Sequence, residues 1–342
     1  MFRNANKLQI TKVTLVILFI ITLICIGFYY LIRDDETLDD SELYLPFQKL
    51  PTENNGYLII GNIGKELKLK TSQEINQVLL ATPFNCSRAK ELVNTHQKEL
   101  LQFYQGLDNP YFGHTSPDEE EFLLGIIQLG KLAQLQAKIA LFQNQPKDAA
   151  RIGEYLVALG YKLEHCKGYL LDYCAGMSIK RAGLEILQEA LIKGLSKNDK
   201  QMITKKITPY FDSCQGFIDC LRIEYSYQKD IWFNQFQLYK EKTANSGDFR
   251  DRIRSILIFI PFFYKPNQTF ETLANYNRDI IKYISGERQE PPISVEYPIN
   301  IYSDNGFGKS LLSLVTPFLG EKLKEPKKTE DIFRSTIKKL SD

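Results

Sequence analysis

Three histidines, six cysteines and a scatter of acids hold whatever reactive chemistry this 342-residue chain could carry. His114 stands near Asp118, Glu119 and Glu121. Imidazole with carboxylates is a set that a hydrolytic metal ion could use. The same acids also have a simpler task. Ser116 can cap a helix, Pro117 suits its first position, and carboxylates in that turn meet the positive end of the helix dipole. Capping accounts for all of them. His165 lies beside Cys166 and Glu164, a zinc-like grouping, yet Cys174 follows two helical turns later, beyond normal ligand spacing. His96 falls on an apolar face and reads as a packed core residue.

Other reactive patterns fail on inspection. Gly308-Lys309-Ser310 mimics the end of a phosphate-binding loop, but Ser303 stands where that motif needs glycine, and no strand–loop–helix context surrounds it. No G-x-S-x-G is present for a serine hydrolase. A cysteine hydrolase would need a matched histidine, and none is identifiable. No catalytic, cofactor-binding or metal-binding residue is therefore assigned. One candidate ligand or partner face is left. Tyr225, Trp232, Phe236 and Tyr239 are spaced by seven, four and three, which puts them on one side of a helix, with Arg222 and Glu224 nearby. Such a face could take a peptide, glycan or lipid. A wide core stripe would have the same spacing.

The elements that carry these residues read as helices from Thr71 onward. Thr71 with Glu74 fits a capping box opening a helix to Ala81, and Asn85 or Ser87 caps another to Gly106. Leu92, His96, Leu100 and Phe103 make its apolar stripe. Ser116 opens a helix to Asn144, and Pro146 one to Gly160. Further helices are expected over 163–193, after Ser196, over 214–239, over 309–320 and at the C-terminus. The apolar run 255–264 is too short to span a bilayer; it reads as a buried helix or a second membrane contact. The glycine-punctuated GYLIIGNIG at 56–64 reads as a short strand or extended lead-in, and 289–302 as extended.

Ahead of these lies VTLVILFIITLICIGFYYLI, residues 13–32, uncharged throughout. At 1.5 Å per residue these twenty residues cover about 30 Å, the thickness of a bilayer's hydrocarbon core. The run exceeds a signal-peptide core, no A-x-A-like site follows it, and Ile24 before Cys25 is too bulky for lipoprotein processing. Arg3, Lys7 and Lys12 precede it, whereas Asp34, Asp35, Glu36, Asp39, Asp40 and Glu42 follow. Positive charge on the near side puts residues 1–12 in the cytoplasm and the bulk of the chain outside.

Of the five cysteines beyond that span, Cys166 and Cys174 fall on one expected helix and Cys214 and Cys220 on another. Each pair is separated by about 12 Å or about 9 Å of helix, too far for a disulfide within it. A bridge would have to join different helices. The other reading is small buried hydrophobes. Net charge is +2, so nothing points to nucleic acid.

LGKLAQLQAKIALFQNQPKDAARIGEYLVALG, residues 129–160, resembles a degenerate tetratricopeptide helix pair. Gly130, Ala137, Ala149, Ala150 and Gly153 are small where two helices could touch. The match spans about one repeat and lacks the aromatic signature positions. The whole layout resembles uncharacterised bacterial membrane-anchored helical proteins, which have an N-terminal anchor, a helical body, a KPN-x-T segment (Lys265 to Thr269) and a closing N-x-x-G-x-x-L segment (Asn305 to Leu311). Many of those carry Pro after that Asn, where this chain has Gly306. That resemblance implies architecture and placement and brings no activity.

The expected fold is all-α, an N-terminal transmembrane helix plus an antiparallel helical-pair, solenoid- or bundle-like extracytoplasmic domain. Residues 1–12 form a cytoplasmic tail, 13–32 the span, 33–56 an acidic linker and 57–342 the helical body. Expected placement is the bacterial inner membrane, single-pass, with the body periplasmic. The leading expectation for function is a non-enzymatic envelope protein that binds or scaffolds another protein, with no cofactor. Alternatives are a metal-assisted hydrolase using His114 and Asp118, and a lipid or small-ligand binder.

Overall fold

The computed structural model describes residues 39–67, 69–116, 119–244, 265–293 and 322–341, together with Thr22, Arg33, Asn305, Lys309, Leu312, Ser313, Thr316, Leu319 and Gly320. Among the described residues the chain is helical and forms no strand. Its nearest approach to sheet is a single parallel bridge between Asn55 and Tyr111. Among them, no helix is long and apolar enough to cross a membrane. The expected span 13–32 lies outside the described residues, apart from Thr22, as does the apolar run 255–264.

The chain divides into two compact units. The larger comprises Glu42–Gln228, Ile280–Glu290 and Lys322–Asp342. It holds α1 (Gly56–Lys65), α2 (Leu69–Leu80), α3 (Cys86–Thr95), α4 (Gln97–Leu107), α5 (Glu120–Phe142), α6 (Pro146–Glu164), α7 (Leu170–Ile192), α8 (Lys197–Ile207), the first half of α9 (Cys214–Ala244) and, near the C-terminus, α11 (Glu325–Ser341). The centre is the pair α6 and α7. Two glycines on each, seven residues apart, face each other across it. A Cβ on Gly153 would meet the Gly183 carbonyl oxygen at 3.0 Å, and one on Gly160 would meet that of Gly176 at 2.6 Å. Seven residues make two turns, so the two glycines of each helix lie on one face, and the backbones close in at those points. α11 lies along α7 in the same direction. Arg181 donates to the Thr329 hydroxyl and Gln188 to that of Thr336, both at 2.8 Å.

The smaller unit comprises Met1–Ser41, Lys229–Asp279 and Pro291–Glu321. Here α10 (Pro266–Ser285) begins. Asn305, 36 residues beyond Thr269, meets the KPN-x-T segment at the start of α10. Asn305 Oδ1 accepts from the Lys265 amide at 3.0 Å, and its Nδ2 donates to Gln268 Oε1 and Thr269 Oγ1, both at 3.1 Å. Asn305 holds φ at +49°, which Asn tolerates better than most side chains. Tyr276 donates to the Thr316 carbonyl at 3.1 Å. Lys229 pairs with Asp40 at 2.6 Å.

Several local expectations are corrected. GYLIIGNIG is not extended; it is most of α1. Its glycines lower helix propensity, but they are where neighbouring backbone packs, and Gly125 of α5 approaches at Gly61 and Gly64. Asn55, fully buried, caps it by accepting from the Tyr57 amide at 3.1 Å. The helix from Asn85 breaks at His96, which is half-buried at the join rather than a core residue. Leu92, Leu100 and Phe103 are buried as expected. The helix expected over 163–193 is also interrupted: α6 ends at Glu164 and α7 starts at Leu170. Cys166 thus sits in a turn, not on the helix of Cys174. None of Cys86, Cys166, Cys174, Cys214 and Cys220 is in a disulfide; Cys166 and Cys220 are buried hydrophobes. The helices of 129–160, α5 and α6, do pack together, but the tightest backbone approach is between α6 and α7.

Candidate functional site

The best-defined polar centre lies in the larger unit, where three chain segments meet. Asn55 orients the first: its Nδ2 donates to the carbonyls of Pro51 and Gly113, at 3.0 and 2.8 Å. That pins the 113–114 turn against the start of α1. The Leu50 amide donates to the His114 carbonyl at 3.0 Å. The turn between α6 and α7 supplies Cys166, where Lys167 adopts φ of +53°. The first turn of α7 supplies Asp172, whose Oδ2 accepts from the Tyr169 amide at 2.9 Å. This is the carboxylate half of a helix-start capping box.

His114 Nε2 lies 2.9 Å from the same Asp172 Oδ2. Tyr57 donates its hydroxyl to Asp172 Oδ1, also at 2.9 Å. His114, Cys166 and Asp172 each offer one donor atom, and the three atoms lie within 4.8 Å of one another. All three residues are buried, at 1%, 4% and 2% exposure. Gly168 leaves room for them: a Cβ there would sit 2.5 Å from Asp172 Oδ2 and 2.9 Å from both Cys166 Sγ and His114 Nε2. His114 Nδ1 is buried without a hydrogen-bond partner. Aromatic rings enclose the imidazole, with Tyr57 at 4.5 Å, Tyr169 at 5.8 Å and Phe47 at 6.0 Å between centroids. Burial, then the Asp172 charge, pushes both the Cys166 thiol and the Tyr57 phenol up.

A second buried cluster ties α6, α7 and the start of α9. Lys180 Nζ lies 2.7 Å from Glu164 Oε2 and 2.9 Å from Ser213 Oγ, and Ser213 Oγ lies 3.0 Å from Glu164 Oε2. A serine next to a lysine has nucleophile-and-base chemistry in principle. The triangle is sealed, with Lys180 and Ser213 fully buried and Glu164 at 3% exposure, so it is a structural clasp. Burial outweighs the attraction of Lys180 and the Ser213 hydrogen bond, and holds the Glu164 carboxyl up at about 7.

The third feature is an open groove between α5 and α7, with a cavity volume of about 810 Å³. Leu123, Leu124 and Ile127 line it from α5, and Leu171, Ala175 and Ile179 from α7. Leu124 and Leu171 are exposed, at 65% and 53%.

The residues singled out by sequence scatter over these features. His114 does sit with a carboxylate, but that partner is Asp172, 58 residues away. Asp118 lies outside the described residues. Glu119 reaches back to Thr115, accepting from its amide at 2.7 Å and from its hydroxyl; the helix starts at Glu120 rather than at Ser116, and no side chain caps it. His165 is not in the Cys166 cluster; its Nδ1 bonds the Tyr161 carbonyl at 3.0 Å and its ring stacks on Tyr161. Tyr225 is buried at 1% exposure, while the side chains of Trp232, Phe236 and Tyr239 lie outside the described residues. Asp172 is not singled out by sequence, because a helix over 163–193 places it mid-helix, whereas the helix starts at Leu170. No protein-family model, curated protein or solved structure matches the chain.

Proposed function

We propose that the chain is a non-enzymatic, membrane-anchored envelope protein that binds another protein through the groove between α5 and α7. The observation that carries this reading is that exposed Leu124 of α5 and exposed Leu171 of α7 line one largely apolar groove. Exposed leucines scattered singly need no explanation, but two lining one groove do. Each flanking helix has 23 residues, about 35 Å of length. Small residues on α7 (Ala175, Ser178 and Ala182) deepen the channel. An amphipathic helix from a partner suits it, laying its apolar face into the groove. The tetratricopeptide-like helix pair at 129–160 supports the same use of helical surfaces. The sealed state of His114 speaks against a hydrolytic role, since substrate must reach the imidazole.

Placement follows from residues 13–32 as the span, with the N-terminus cytoplasmic and the body periplasmic in the bacterial inner membrane. Alkaline phosphatase fused after Asp342 should be active in a bacterial host, and an inactive fusion would reverse the compartment. Binding is tested with a photo-crosslinking residue at Leu124 in intact membranes. A discrete protein adduct, lost in Leu171→Glu, is the expected result. Adducts to lipid alone would replace this reading with the lipid-binding one.

A further inference from the structure

We infer that His114, Cys166 and Asp172 form a binding site for a zinc-class divalent cation, which clasps three separate chain segments together. The inference stands apart from the groove. A thiol, an imidazole and a carboxylate brought within 4.8 Å of one another are the three ligand types that zinc takes, and soft thiolate sulfur disfavours magnesium and calcium. They come from sequence positions 52 and 6 residues apart, on a turn before α5, a turn after α6 and the first turn of α7. Gly168 leaves the space between them clear of side chain. The nitrogen that faces the other two donor atoms is His114 Nε2, 2.9 Å from Asp172 Oδ2; a cation would take its lone pair in place of that hydrogen bond.

The surroundings are those of a metal site. Tyr57 bonds the other oxygen of Asp172, and the Tyr169 amide bonds the near one. Such outer bonds fix a ligand's orientation. On binding, the imidazole gives a ring-nitrogen lone pair, Asp172 gives a carboxylate oxygen, and the Cys166 thiol releases its proton to solvent as the sulfur–metal bond forms. With all three ligands buried, no substrate reaches the ion. The site is structural, and its role is to hold the 113–114 turn against the α6–α7 turn and the start of α7.

The test uses the full chain in detergent, stripped with chelator and reloaded with zinc or cobalt chloride. One zinc per chain by elemental analysis and a rise in thermal midpoint are expected. The cobalt form should show sulfur-to-cobalt charge-transfer absorption. Cys166→Ser should lose that band, while Cys220→Ser, a buried cysteine outside the set, should keep it. Asp172→Asn should weaken zinc binding at least 10-fold, and its readout serves if Cys166→Ser does not fold. Unchanged melting with substoichiometric zinc in the wild-type chain, or a band that survives Cys166→Ser, would overturn the proposal.

Discussion

His114 Nε2 and Asp172 Oδ2 meet at 2.9 Å inside the protein, across 58 residues of sequence. The bond joins a turn to a helix start, and Asp172 also receives the Tyr57 hydroxyl and the Tyr169 amide. Removing its carboxylate leaves three donors without an acceptor in a buried place. Asp172→Ala should therefore cost about 3–5 kcal/mol in urea unfolding followed by circular dichroism. Asp172→Asn should cost less, because it keeps an acceptor oxygen. Equal losses for the two would remove the charge from this account.

The Glu164–Lys180 pair makes stability depend on pH. Burial raises the Glu164 carboxyl from 4.5 to about 7, so the folded chain holds a proton there that the unfolded chain has already lost. The contribution is fully present below about pH 4.5 and is lost as pH rises through about 7. It amounts to roughly 3 kcal/mol at most. Melting of the wild type across that window should fall relative to Glu164→Gln, whose curve should be flatter. A wild-type curve parallel to the Gln variant would contradict it.

Lys180 should not tolerate loss of its partner. Glu164→Leu alone leaves a buried ammonium with one hydrogen bond, to Ser213, at a cost of about 3–5 kcal/mol. Adding Lys180→Met should recover much of that loss, because two apolar chains replace two charges. The double-mutant cycle measures it.

Gly160 is a helix position where alanine ought to help and should instead harm. Alanine favours a helix over glycine by about 1 kcal/mol. A Cβ there would sit 2.6 Å from the Gly176 carbonyl and 2.5 Å from the Lys180 Cβ, both on the facing helix. Gly160→Ala should cost about 1–3 kcal/mol net through overpacking, and Gly176→Ala the same. Thermal denaturation of either variant decides it; a gain would mean α6 and α7 separate freely.

Cys166 and Cys220 should resist alkylation in the native chain and react after unfolding, because both are buried and burial raises both thiols. Mass spectrometry before and after urea reads the difference. Native labelling of either would mean the α6–α7 corner opens.

Reading along the chain reached as far as local physics reaches. Helix starts are legible where one side chain satisfies a nearby amide, as at Asn85 and Ser196, and where proline fits the first helical position, as at Pro146. So was the buried stripe of Leu92, Leu100 and Phe103, because apolar spacing repeats with the helix. The all-α class follows from those two signals. GYLIIGNIG was misjudged because glycine propensity is a local cost, whereas its return is a contact with Gly125, 61 residues from Gly64. The helix break between Glu164 and Leu170 was hidden for a similar reason. The turn at 165–168 (His165-Cys166-Lys167-Gly168) is polar and holds a glycine, yet a helix start at 163 places it inside the helix; the return of α7 onto α6 sets the start at Leu170 instead.

Only the tertiary structure brought Asp172 to His114 and Cys166, and Lys180 to Glu164 and Ser213. No spacing rule links them, since their segments are joined by how helices stack rather than by helical period. It also decided that Leu124 and Leu171 face one groove, because which side of an apolar helix stays open depends on its neighbours. Residues 13–32 stand at the other extreme. Their length and lack of charge are properties of the chain alone, and the case for a membrane anchor rests on them.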